Sequence, residues 1–135
     1  MDLNESLMTA AAGMRVQGER LRVISENLAN ADSVSEKAGG DPYRRKTISF
    51  KNALDKHLGI ETVQVAKVGQ DKSDFRKKFD PGNPAADSTG YVTMPNVNTL
   101  VELTDMREAE RSYEANLKTI DAARTMLQRT IDILR

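Results

Sequence analysis

Residues 3–31 read LNESLMTAAAGMRVQGERLRVISENLANA, with Leu7, Met14, Leu21 and Leu28 spaced seven apart. Leu3, Ala10, Ile24 and Ala31 fall on a companion seam, where Gln17 is the one polar exception. Alternating steps of four and three put these side chains on one narrow helical face, the pattern of a coiled-coil seam. Gly13 and Gly18 weaken the helix, each costing about 1 kcal/mol relative to alanine. The segment closes on SENLANAD, residues 25–32, where small and amide residues accompany Leu28. Ala29 and Ala31 permit close approach of another backbone, and Asn27 and Asn30 can hydrogen-bond across a contact. Asn30 can equally be a residue that ends the helix.

The partner for this stripe lies at the far end of the chain. Met106, Tyr113, Ile120, Leu127 and Leu134 again recur every seven residues. Leu103, Leu117 and Ile131 form the companion seam, interrupted by Glu110 and Arg124. Thr99 and Glu102 have capping-box spacing, and Glu114 and Lys118 form a favourable i,i+4 pair. The expected fold is mainly α: an antiparallel coiled-coil pair of N- and C-terminal helices (1–31 and 98–135) with a small irregular or β insert (32–97). Two narrow seams bury too little to offset the entropy of ordering both helices. The ends of an isolated subunit should therefore fray and become ordered when neighbouring copies cover them.

In the middle, Ser33, Ser35, Gly39, Gly40 and Pro42 mark a linker. Residues 43–50, YRRKTISF, read as extended, and 51–58, KNALDKHL, as one or two helical turns. ETVQVAKVG at 61–69 alternates like a half-exposed strand. DPGNPAADSTG at 80–90 is a turn-rich loop, and Tyr91 and Val92 begin a short strand before Pro95.

The 135 residues suffice for one domain with a modest core. Twenty basic residues balance twenty acidic ones, so net charge gives no reason to expect nucleic acid or an anionic membrane as partner. No cysteine is present, which removes disulfides and thiolate chemistry. No apolar run is long enough for a membrane span, and the start of the chain lacks the basic n-region of a cleaved signal peptide. His57, the only histidine, sits in a polar segment and reads as a surface residue. No nucleophile elbow, P-loop or HExxH pattern occurs. Asp80, Asn83 and Asp87 do not have EF-hand spacing and read as turn formers. Arg44, Arg45 and Lys46, with Lys72, Arg76, Lys77 and Lys78, form basic clusters that suit a solvated face or an acidic neighbour. No catalytic, metal or cofactor site is expected. The candidate working residues are packing residues: Leu7, Met14, Leu21, Ile24, Asn27, Leu28, Asn30, Met106, Tyr113, Asn116, Leu117, Ile120, Leu127, Ile131 and Leu134.

Four segments resemble the flagellar axial protein family, and within it the proteins of the proximal rod. These are Asn27-Leu28-Ala29-Asn30-Ala31, Gly40 to Lys46, Gly90 to Asn98 (GYVTMPNVN), and Arg111 to Asn116 (RSYEAN). The resemblance spans nearly the whole chain. It departs from the family pattern at Asp32-Ser33 and in a longer linker over 32–40. It implies a structural subunit exported unfolded by the flagellar type III apparatus without a cleaved signal. The expected partners are other rod proteins and basal-body components, in a homo- or hetero-oligomeric helical shaft crossing the periplasm, with no nucleic acid and no direct membrane insertion. Another flagellar rod component, or a small coiled-coil adaptor or chaperone forming closed oligomers, would share the heptads.

Overall fold

The computed structural model describes residues 3–55 and 59–134. The element order is helix α1 (Leu3–Ala29), strands β1 (Lys46–Asp55), β2 (Ile60–Gln70), β3 (Arg76–Phe79) and β4 (Tyr91–Met94), and helix α2 (Thr99–Ile133). Helix dominates, and the insert holds two two-stranded sheets, β1–β2 and β3–β4. In the first sheet Asp71 N donates to Arg45 O, the Ser49 hydroxyl to Lys67 O and the Thr62 hydroxyl to Ala53 O. The partners run in opposite senses, so the hairpin is antiparallel. The second sheet is antiparallel in the register Arg76 with Met94 to Phe79 with Tyr91.

The strand expected at 61–69 is present as β2, and the one at Tyr91 as β4. The helical turn expected from residue 51 is not: 51–55 continue β1, and 56–58, with His57, lie outside the described residues. KNALD carries helix-forming residues, but pairing of the ten-residue strand β1 with β2 overrides local propensity. Strand β3, RKKF, escaped the sequence reading because every residue is exposed, so no apolar alternation marks it.

Each helix ends through a side-chain amide. At the end of α1 the Asn30 Nδ2 donates to Glu26 O at 2.8 Å, and the Ser33 hydroxyl donates to Asn30 Oδ1 at 3.2 Å. Among the described residues no non-glycine has positive φ, so Asn30 stops the helix without a left-handed turn. At the start of α2 the Asn98 Oδ1 accepts from the Leu100 and Val101 amides, which makes Asn98 the N-cap. The expected Thr99–Glu102 capping box is therefore not formed, and Glu102 is engaged elsewhere. The Glu114–Lys118 pair closes at 2.7 Å.

The chain divides into two compact units. One comprises Met1–Leu21, Ile48–Lys67 and Arg107–Arg135; the other comprises Arg22–Thr47 and Val68–Met106. In the first, Arg20 meets Glu108 at 3.4 Å, and a Cβ on Gly13 would lie 2.7 Å from the Asn116 Nδ2. These contacts order the two helical segments in opposite directions. Its buried apolar residues are Ala10, Val16, Ala109 and Ala123. In the second unit the buried apolar residues are Val23, Ile24, Ala31, Ala85, Val92 and Val97, together with Pro95.

The two helical glycines give contrasting expectations. Nothing lies within 4 Å of a Cβ on Gly18, so Gly18→Ala should stabilise α1 by about 1 kcal/mol. Gly13→Ala meets the Asn116 amide, so its gain should emerge only with Asn116→Ala beside it. Thermal melts of assembled rods carrying the single and double variants, where both helical segments are ordered, would measure the coupling, and additive effects there would show that the close approach is not real.

Candidate functional site

Two sets of residues carry the possible function: a polar cluster in the second unit, and the faces of the helices.

The cluster is built on Asn27 and Glu102, both essentially fully buried. Asn27 Nδ2 donates to Lys46 O at 2.9 Å and to Glu102 Oε2 at 3.1 Å. Its Oδ1 accepts from the Tyr43 hydroxyl at 2.9 Å and from Lys46 N at 2.8 Å. Every polar position of the amide is thus used, which aspartate or glutamine could not reproduce. Arg45 Nε donates to Glu102 Oε1 at 2.5 Å, and its other nitrogens lie 3.5 Å from Asp71 and 3.8 Å from Asp105. Arg45 N donates to Asn96 Oδ1, whose Nδ2 donates to Asp71 O and Ser73 O. Burial works against the Arg45 charge, but the Glu102 carboxylate outweighs it and holds the guanidinium above its ordinary range. Burial also raises the Tyr43 hydroxyl. Hydrogen bonding to Lys46 lowers Glu26.

Neighbouring polar residues have turn-forming work. Asp87 Oδ1 accepts from the Thr89 amide and hydroxyl and from the Tyr91 amide. Asn83 Oδ1 accepts from Ala85 N. Among the described residues no group of three or more His, Cys, Asp or Glu could hold a metal ion. Gly90, at φ +83°, lies close over Phe79 and lets the loop return to β4. The Thr89 hydroxyl, with backbone amides, holds the Asp87 carboxyl below its ordinary 3.8. A lowered folded-state pKa stabilises fully above the ordinary value and is lost as pH falls through the depressed one. Melting temperature should therefore fall below about pH 4, and Asp87→Asn should flatten that fall; parallel wild-type and variant curves from pH 2 to 5 would remove Asp87 as a cause.

On the helix faces, the heptad residues divide sharply. Leu7, Met14, Leu21 and Leu28 are half-buried, and Ile24 is buried. On α2, Met106, Asn116 and Ile120 are half-buried. Tyr113, Leu117, Leu127, Ile131 and Leu134 are exposed, Leu117 by 42 % and Ile131 by 56 %. The inward row of α2 is instead Glu102, Ala109, Asn116 and Ala123, also spaced by seven. Asn116 is among the expected packing residues; Ala109 and Ala123 are not, because small side chains carry no heptad signal, and Glu102 carries a capping one. On α1, Val16 and Val23 were missed in the same way, because they lie beside the leucine stripe.

An α-helical chain with an apolar row turned outward has the features of an assembly-forming structural protein. Comparison with known proteins specifies the assembly. A family model described as "Flagellar basal body rod FlgEFG protein C-terminal" matches residues 88–133. The chain is similar to the flagellar basal-body rod protein FlgC of Agrobacterium fabrum, with 52% identity over 98% of this chain and 96% of the relative. It is similar to the FlgC of Salmonella typhimurium, with 38% identity over 92% of each chain, and to that of Bacillus subtilis, with 36% identity over 95% of each. The chain belongs to the FlgC family of flagellar basal-body rod proteins, and it is a structural subunit of that rod.

Proposed function

We propose that this subunit polymerises through its two terminal helices into the proximal part of the rod, a periplasm-crossing shaft that transmits torque. In this reading α1 and α2 pair as an antiparallel coiled coil over 1–31 and 98–135, and segment 32–97 makes lateral contacts. Its neighbours are other rod proteins and basal-body components. The flagellar type III apparatus delivers it without a cleaved signal. The observation carrying this reading is the division of α2 into two faces. Its inward row is Glu102, Ala109, Asn116 and Ala123, and most of its large apolar side chains, Leu103, Leu117, Leu127 and Ile131 among them, are exposed. A subunit that functioned alone would not leave such a row uncovered. Contacts that do not close on themselves are what a shaft needs.

The test is deletion of the gene followed by electron microscopy of isolated basal bodies. Rods should be missing or truncated, and the chain should be traceable in the proximal rod once the gene is restored. Intact rods in the deletion strain would overturn the reading. Closed dimers or tetramers of purified protein by light scattering would favour a coiled-coil adaptor instead.

A further inference from the structure

We propose that the Asn27–Arg45–Glu102 cluster is a clamp formed before assembly. It holds α1 at 22–29 and α2 at 99–106 together in the free subunit, and ordering on assembly is confined to the arms, residues 3–21 and 107–134. The proposal rests on the assembly reading above and limits it: the helices do not fray throughout.

Burial differs between the two units. The unit holding the clamp buries three valines, an isoleucine and a proline. Among the described residues, the unit holding the arms buries one valine and three alanines, and an alanine removes only a methyl group from water. The clamp also spans distance along the chain. The Asn27–Glu102 bond joins residues 75 apart, and the Arg45–Glu102 bond joins residues 57 apart. Each closes a loop whose entropy is then already spent. Both bonds involve a fully buried carboxylate, which cannot be left unpaired without a large cost.

The clamp also changes how the arms order. Starting a helix is the unfavourable step, and extending it is nearly neutral. With 22–29 and 99–106 held as helix, each arm grows from an existing turn. A neighbouring subunit then has only to cover the apolar row as the arm elongates. Ordering would proceed from the clamp toward both chain ends.

Hydrogen exchange read by mass spectrometry on the isolated full-length chain tests this. Amides at 22–29 and 103–106 should exchange on the order of 100-fold more slowly than those at 5–18 and 112–130. Glu102→Gln keeps the shape but removes the charge, and should erase the contrast. Tyr43→Phe removes one of the two donors to Asn27 Oδ1, and should lower protection at 22–29 partway without changing the arms. It keeps the test informative if Glu102→Gln unfolds the unit. Equal protection along both helices, protection highest in the arms, or none anywhere would overturn the clamp. Leu117→Asp lies outside it and should leave the contrast intact. If that variant assembles normally while the contrast persists, the assembly reading fails and the clamp survives.

Discussion

Arg45→Met is expected to destabilise the folded chain by about 3 kcal/mol, the lower end of the range for removing one partner of a buried ion pair. Glu102 has no exposure to water, and Arg45 Nε is its charged partner at 2.5 Å. Methionine restores the packing of the stem but no charge, so the carboxylate keeps only the Asn27 amide. The lower end applies because 23% of the Arg45 side chain still reaches solvent. In urea the midpoint should fall by roughly 2 M, given a slope of about 1–2 kcal/mol/M for a chain of this size. Arg44→Met is the control. Its guanidinium stacks over Phe75 at 4.1 Å and donates to the Asp71 and Ser73 carbonyls, with no buried charge depending on it. Its loss should cost about 1 kcal/mol. Equal costs for the two arginines would show that Glu102 does not depend on Arg45.

The cluster was not legible in the sequence, and the reason is physical. Asn27, Tyr43, Arg45, Asn96 and Glu102 come from separate segments, and no local rule connects them. Glu102 carried a local explanation, the capping box, that was sufficient and wrong because Asn98 already caps the helix. The helices themselves were legible to within about two residues, since periodicity over many turns is a strong signal. The inward face was not. A heptad search rewards leucine, whereas Gly13 and Asn116 approach too closely for large side chains. Small residues hold the contact within the subunit, and the leucines of α2 are left exposed. The hairpin was half legible: Val63 and Val65 alternate, while KNALD becomes strand only through pairing with β2.

Leu117→Asp should abolish rod assembly and motility while leaving the amount of protein made and secreted unchanged. The two effects separate because Leu117 is 42 % exposed in the subunit. A surface substitution away from caps, cores and ion pairs changes stability by about 0.5 kcal/mol or less. In an assembled shaft the same carboxylate would be taken out of water without a partner, which costs several kcal/mol at every repeated contact. A small effect on the monomer and a complete effect on the polymer is what an interface residue produces and a core residue cannot. Leu28→Asp provides the comparison, since Leu28 is half-buried and should lower subunit stability as well as assembly. Swimming in soft agar, basal bodies by electron microscopy and the chain in the culture medium should be scored separately. Lost motility with normal secretion and no rods places the defect at assembly. Normal rods carrying Leu117→Asp would remove this face of α2 from the mechanism, whatever its apolar character suggests.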